Sequence, residues 1–164
     1  MPKIDIYNVK TSISVFLCVL LFKFFHRSYP FYACIAAISC MRDTSCNCYS
    51  AGKSRIIGTC IGAAIGLIFF NFLKTTPLYC GIGIAIVIYL CNLFNKKSSI
   101  VISCIVFIAI MTNLKGMPSD IYAINRIIDT TIGVIIAVFV NKFFEAKYIK
   151  YIKNIKNNVS SLWS

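Results

Sequence analysis

Carboxylates and histidine are scarce in this chain of 164 residues, which holds five acidic residues and one histidine. The acidic residues are scattered along the chain: Asp5, Asp43, Asp120, Asp129 and Glu145. Acid–base catalysis needs paired titratable groups and a metal site needs clustered ligands, and this distribution offers few ways to build either. The nucleophile-elbow, phosphate-loop and zinc-protease signatures are also absent. We therefore expect no enzyme, no metal and no cofactor.

Charged residues of either sign are few as well, at 13% of the chain, whereas 59% of the residues are hydrophobic and the mean hydropathy is +0.79. A soluble domain typically has about 25% charged and about 45–50% apolar residues. A chain of this size has too small a core to hide the apolar excess from water. The composition therefore excludes a water-soluble globule and predicts an integral membrane protein.

The remaining charge is mostly positive, with 17 lysines and arginines and a formal net charge of +12. These bases stand between apolar runs rather than in one patch, so the positive-inside rule explains them better than nucleic-acid binding, which we do not expect. Most of the nine cysteines lie inside the apolar runs, where cysteine acts as a small hydrophobic residue. Cys46 and Cys48 lack the second pair of ligands that a zinc site needs.

Six apolar runs have about the length that a helix needs to cross a bilayer. They cover residues 11–25, 29–47, 56–73, 77–94, 98–114 and 127–144. With the N-terminus in the cytoplasm, twelve of the 17 basic residues fall on the cytoplasmic side and five on the other. This asymmetry predicts an all-α protein with six transmembrane helices and both termini in the cytoplasm.

The residues after the sixth run have a different character. Apolar side chains recur there at helical spacing among lysines: Tyr148, Ile152, Ile155 and Val159. This pattern predicts a separate amphipathic helix on the anionic cytoplasmic leaflet. The alternative is a helix that docks a soluble partner. The chain thus divides into a six-helix transmembrane domain, 1–144, and a basic cytoplasmic tail, 145–164.

Two segments of the chain resemble each other, one beginning at Arg55 and the other at Arg126. They share the frame R-I-I-x-T-x-I-G-x-x-I-[GA], at the expected starts of the third and sixth helices. Because three helices per repeat is an odd number, the two repeats, about 10–73 and 77–144, would run in opposite senses across the bilayer. Many secondary transporters build alternating access from inverted repeats of this kind.

Small residues recur every fourth position in this frame: Gly58, Gly62 and Gly66 in the first repeat, Gly133 and Ala137 in the second. In lipid, such spacing lets helix backbones approach closely. We expect these five residues to be helix-packing positions, and a sliding surface between two bundles is compatible with that role.

The two arginines of the frame are expected at helix N-termini, where the macrodipole disfavours positive charge. One interpretation is a structural ion pair, of Arg126 with Asp129 and of Arg55 with Asp43. The other is an anion path, in which the arginines act together with free amides of helix N-termini. Ionisable residues near a span are functional candidates, and nearby hydroxyl and amide groups supply neutral hydrogen bonds. The candidate path residues are Arg42, Asp43, Arg55, Thr59, Thr112, Asn113, Arg126, Asp129 and Thr130.

Several stretches of the sequence carry a family resemblance. They are the segment 28–38, Met41-Arg42-Asp43-Thr44, the G-x-x-R-x-x-G-T-x-x-G stretch from Gly52 to Gly62, and residues 126–141. From about Lys10 to Phe144, the chain resembles the aromatic acid exporter family, also called the fusaric-acid-resistance-like family. The resemblance implies export of aromatic carboxylates across the bacterial inner membrane. It also implies a distant relation to the plant aluminium-activated malate transporters, which work as dimers with arginine-lined pores.

We therefore expect an inner-membrane exporter or channel for small organic anions, in particular aromatic carboxylates, with an arginine-lined path. Many relatives add a large cytoplasmic domain or a second membrane half, whereas this chain ends about twenty residues after the sixth run. Six helices make a thin wall around a path, so we expect a homo-oligomer, most simply a dimer. The alternative is a non-transporting membrane scaffold or sensor whose basic tail recruits a soluble partner or anionic lipid.

Overall fold

Helices account for every regular element in the part of the chain that the structure describes. This computed structural model describes residues 6–26, 29–42, 44–73, 75–112, 116 and 118–160, with side chains through Ala146. The helices are α1 (Ile6–Phe24), α2 (Phe31–Cys40), α3 (Ser45–Phe72), α4 (Pro77–Leu93), α5 (Ile100–Met111) and α6 (Ser119–Ser160). A 3₁₀ turn, Lys97–Ser99, precedes α5.

Three of these helices are long and apolar enough to cross a membrane: Ile6–Phe24, Ser45–Phe72 and, within α6, Ser119–Ala146. The other three, α2, α4 and α5, are apolar but have only 10, 17 and 12 residues. At about 1.5 Å per residue, α2 covers roughly half the thickness of the hydrocarbon layer. The prediction of a helical membrane protein is confirmed, whereas six full-length spans are not.

The second expected span, 29–47, is wrong in its bounds because the helix breaks after Cys40 and a new helix begins at Ser45. Met41 is extended, with φ −59° and ψ 132°, and the Thr44 hydroxyl caps α3 by accepting a hydrogen bond from the Asn47 amide at 3.4 Å. The third helix therefore begins well before residue 56, where its apolar run starts. Its polar first turns line a cavity rather than lipid, so an apolar run could not mark them.

The last helix is also longer than its apolar run, 127–144, at both ends. It begins at Ser119, where Tyr122 and Ala123 are buried against the rest of the protein. It then continues without a break through residue 145 to Ser160. The tail is therefore the end of α6, which differs from the expectation of a separate helix.

The helices pack around a central pair, α3 and α6. The most extensive contacts of the two short helices are those of α5 with α3 and of α2 with α6. On the outside, α1 packs on α2 and α6, and α4 packs on α5 and α3. Exchanging α1–α3 for α4–α6 therefore gives the same set of neighbours.

Two glycines permit the closest of these helix contacts. A Cβ on Gly62 would collide with the carbonyl oxygen of Ser103 in α5, and a Cβ on Gly133 would collide with that of Ala33 in α2. Backbone contact at this distance is possible only without a side chain. The other expected packing positions also face neighbours: Gly58 and Gly66 face α5, and Ala137 lies in the core shared with α1 and α2.

Candidate anion-binding site

A cavity of about 550 Å³ lies between the end of α2, the first half of α3 and the start of α5. One wall is polar and comes from α2, α3, the loop between them and the turn before α5: Ser39, Arg42, Asn47, Ser50, Ser54, Arg55 and Ser98. The other wall is apolar and comes from α5: Val101, Ile102 and Ile105. The cavity thus presents hydrogen-bonding groups to one side of a ligand and an apolar surface to the other.

The polar wall follows from a helical pattern in α3. Asn47, Ser50, Ala51, Ser54 and Arg55 are spaced three and four residues apart, which puts them on one helix face. In a membrane protein, polar groups turn toward protein or water because lipid offers them no hydrogen bonds. The asparagine and the serines are not among the residues predicted from the sequence, although this spacing would have revealed them.

Arg42 and Arg55 are the charged residues among the described residues that line this cavity. Arg55 is half-buried, and its Nε is buried with no hydrogen-bond partner among the described residues. Arg42 is exposed and donates from Nη1 to the carbonyl oxygen of Met41 at 2.7 Å. Because a guanidinium has five N–H donors and no acceptor, the pair favours an anionic ligand.

A buried clasp holds the backbone at Arg42 against α6. Lys10 is only 7% exposed, and its Nζ donates to Oδ1 of Asn141 at 2.8 Å. Nδ2 of Asn141 in turn donates to the carbonyl oxygen of Arg42 at 2.9 Å. One turn later, Glu145 accepts a hydrogen bond from the Ser45 amide at 3.1 Å. These bonds satisfy backbone groups at the break between α2 and α3, where helical partners are missing.

The clasp could not be assigned from sequence spacing. Lys10 and Asn141 are 131 residues apart in the chain, and no local pattern connects them. Lys10 looked like one of several basic residues that set the orientation in the membrane. Its burial shows that this lysine also joins α1 to α6.

Arg126 is more deeply buried than Arg55, at 5% exposure. Its guanidinium stacks on the ring of Tyr32, with Cζ 3.6 Å from the ring centroid. The hydroxyl of Tyr32 lies 3.0 Å from the hydroxyl of Tyr122. Nε and Nη1 of Arg126 have no hydrogen-bond partner in the part of the chain that the structure describes. One face of the guanidinium is therefore covered while donors at its edge are unused.

The two arginines of the repeated frame lie on the central pair of helices, α3 and α6, and their like charges repel. Asp129, one turn after Arg126, attracts the charge of Arg126. The expectation that these arginines begin their helices is wrong, since Arg55 lies ten residues after Ser45 and Arg126 seven residues after Ser119. The first-turn amides of α3 and α6 therefore lie about two turns or more along the helix from these arginines.

The other candidate path residues have different surroundings. Thr59 is fully buried, and its hydroxyl donates to the carbonyl oxygen of Arg55 at 2.9 Å, within α3. Thr130 is buried one turn after Arg126. Thr112 is exposed at the end of α5 and does not line the cavity. Asp43 and Asn113 lie outside the described residues.

Most of the side chains that line the cavity carry hydrogen-bond donors. Within the described ranges, no three histidine, cysteine, aspartate or glutamate side chains come together as a metal site would require. The nine cysteines, all in those ranges, are free thiols. What the helices bring together is guanidinium, hydroxyl and amide donors next to an apolar wall.

Apolar helices around an arginine-bearing cavity define an integral membrane protein with a polar site inside its helix bundle. The model of a known family, aromatic acid exporter family member 1, matches residues 3–144. The chain therefore belongs to the aromatic acid exporter family, which confirms the resemblance in its sequence and indicates a membrane transporter rather than an enzyme. No curated protein and no solved structure matches the chain.

Proposed function

We propose that this protein is an exporter or channel for small organic anions, in particular aromatic carboxylates, in a bacterial inner membrane. The cavity is the observation that supports this most directly, with Arg42 and Arg55 on one wall and apolar side chains of α5 opposite. A guanidinium can hold a carboxylate by two parallel N–H···O bonds, and the apolar wall would cover an aromatic ring. The volume of about 550 Å³ suits a small molecule, for which sites of roughly 300–1,000 Å³ are usual.

The path that we propose continues from the cavity to Arg126. Arg55 and Arg126 both have unused N–H donors, and an anion between them would relieve the repulsion between their two positive charges. Asp129 attracts Arg126 and thereby weakens the hold of this arginine on an anion. A moderate hold suits transport, because a transported ion must leave its site as readily as it enters.

We further propose that the membrane domain consists of two inverted three-helix repeats, 10–73 and 77–144. The shared sequence frame supports this, and so does the pairing of α2 with α6 and of α5 with α3. Both termini would then be cytoplasmic, and the cavity would open to the cytoplasm, where Lys53, Lys96 and Lys97 lie near it in the chain. A homo-oligomer, most simply a two-fold dimer, would complete the wall of the path.

One observation favours a second candidate function. Helix α6 continues from Ala146 to Ser160, beyond the part that is apolar enough to cross a membrane. A helical extension of this kind would serve a scaffold or sensor that recruits a soluble partner or anionic lipid without transporting anything. The two candidates differ in what the arginines do, and this difference can be measured.

Anion flux in proteoliposomes tests the proposal. Purified protein would be assayed with benzoate, succinate and chloride, and wild type would be compared with Arg55→Ala. Lys53→Ala is the matched control, because Lys53 is exposed on the same helix and the change removes the same charge. We expect Arg55→Ala to lower benzoate flux at least about tenfold, since a hydrogen bond to a charged group contributes about 1.5–3 kcal/mol. Lys53→Ala should transport like wild type.

Two further measurements decide between the candidates. Size-exclusion chromatography must show that Arg55→Ala still assembles as wild type does. A loss of flux can then be attributed to the missing arginine rather than to misfolding. Absence of flux above that of empty liposomes, from folded and oligomeric wild-type protein, would reject transport. Deletion of residues 147–164 would then be the informative variant, because a scaffold depends on that segment.

A further inference from the structure

Tyr32 and Tyr122 stand next to the most deeply buried cation of the proposed path. Tyr32, in α2, covers one face of the Arg126 guanidinium, with the arginine Cζ 3.6 Å from the ring centroid. Tyr122 lies one turn before Arg126 in α6, and its hydroxyl is 3.0 Å from that of Tyr32. The two rings meet edge to face, with centroids 6.3 Å apart. All three side chains are at least nine-tenths buried.

A stacked ring and a bound carboxylate use different parts of a guanidinium. The ring contacts the face of the planar group, whereas a carboxylate binds at the edge, in the guanidinium plane, where the N–H bonds point. Nε and Nη1 have no hydrogen-bond partner among the described residues, and each of them forms one carboxylate-binding edge together with Nη2. The ring therefore fixes the plane of the guanidinium and leaves its edge to a ligand.

We propose that Tyr32 and Tyr122 are positioning residues that make the Arg126 site selective for carboxylates over spherical anions, an inference that rests on the proposed transport of organic anions. Tyr32 sets the plane of the guanidinium, and Tyr122 holds Tyr32 in place through its hydroxyl. A carboxylate gains from a fixed plane because its two oxygens must meet two donors at once. Chloride is spherical and has no such requirement, so its binding depends on the charge of Arg126 and much less on its orientation.

The test compares variants that keep the ring with one that removes it. Tyr32→Phe and Tyr122→Phe remove a hydroxyl and keep the stack, whereas Tyr32→Leu removes the stack. Tyr89→Leu is the matched control. It is the same substitution at an exposed position on α4, where the side chain is 67% exposed and away from the arginines. The KM for benzoate and the flux of chloride would be measured for each variant in proteoliposomes, after chromatography has shown that the variant assembles.

The hydroxyl variants should each raise the KM for benzoate about threefold, as expected for loss of one neutral hydrogen bond. Tyr32→Leu should raise it about tenfold more than Tyr32→Phe, because a buried cation–π contact is worth about that factor. Chloride flux should change less than about twofold in all of them, and Tyr89→Leu should match wild type.

The results that would overturn the inference are distinct from failure of transport itself. Equal benzoate KM values for Tyr32→Leu and Tyr32→Phe would show that the ring does not position Arg126. Parallel losses of benzoate and chloride flux would show a general effect on the path rather than selectivity. If Tyr32→Leu does not assemble, Tyr32→Phe and Tyr122→Phe provide the test. A wild-type KM for benzoate in both variants would then overturn the positioning role of the two tyrosines. Wild-type protein that carries no anion would instead reject the proposed function.

Discussion

The two halves of this protein carry the same R-I-I-x-T-x-I-G frame but place its arginine in different surroundings. In the first half, Arg55 is half-buried and lines a cavity. In the second half, Arg126 is 5% exposed and stacks on an aromatic ring. The arginine therefore has the same place in the frame in both halves, but different surroundings, which depend on the neighbouring short helix.

The glycines of the frame show which residues of the short helices correspond. Gly62 packs on the carbonyl of Ser103, and Gly133 packs on the carbonyl of Ala33. The residues just before these two are Ile102 and Tyr32, so Ile102, which lines the cavity together with Arg55, takes the place of the tyrosine that covers Arg126. This one difference gives one arginine an open apolar wall and gives the other a ring that fixes its plane.

The clasp at Asn141 distinguishes the halves most strongly, and breaking it should have the largest effect. The position 71 residues earlier, which matches it in the repeated frame, is Phe70, a half-buried apolar residue. Asn141→Leu removes the bonds to Lys10 and to the Arg42 carbonyl, and should destabilise the protein by about 3 kcal/mol, since one bond involves a charge. Phe70→Leu is the control and should cost less than about 1.5 kcal/mol. Thermal unfolding in detergent measures both, and equal midpoints would contradict a stabilising role for the clasp.

The glycine contacts are the feature that the halves share, and a matched pair of substitutions tests whether they are equivalent. Gly62→Val and Gly133→Val should each cost about 1–3 kcal/mol, because the new side chain collides with the backbone of a short helix. Gly81→Val provides the control, since a Cβ there would meet nothing within 4 Å. Thermal midpoints should fall for the first two variants only. If just one of them destabilises the protein, the halves do not pack in the same way.

The carboxylate next to Arg126 offers the finest comparison, because the frame has Gly58 at the matching position in the first half. Asp129→Asn should lower the KM for benzoate roughly threefold, since Arg126 would hold an anion more strongly without its attracting carboxylate. Asp120→Asn, on the exposed first turn of α6, removes the same charge farther away and should leave the KM unchanged. A higher KM in Asp129→Asn would mean that Asp129 is needed to shape the site.

How far the sequence predicts this fold depends on which side chains face lipid. The apolar run 77–94 matches α4, Pro77–Leu93. Most side chains of this helix are apolar, whether they lie in the core or on the outer surface of the bundle. The apolar runs did not predict where α3 and α6 begin. The first turns of these helices carry polar residues that face the cavity or the bundle interior. A hydropathy pattern shows which residues favour an apolar environment. It therefore marks the end of a helix only where the helix faces lipid.

The site was predictable to a similar, limited degree. The repeated frame indicated Arg55 and Arg126, and both lie on the central helix pair, α3 and α6. Tyr32 and Tyr122 could not be found in this way, because their contact joins residues 90 positions apart through the packing of α2 on α6. The contact between these two tyrosines depends on where α2 ends and how it packs on α6. The spacing of residues along either helix does not reveal this.

The continuity of α6 has a mechanical consequence. A helix of 42 residues is about 63 Å long, roughly twice the thickness of the hydrocarbon layer. Arg126, Asn141 and Glu145 stand on this one rod, which has no break up to Ser160. The same helix therefore carries the side chain that holds the backbone at Arg42 and the arginine that stacks on Tyr32, so the two places share one continuous support.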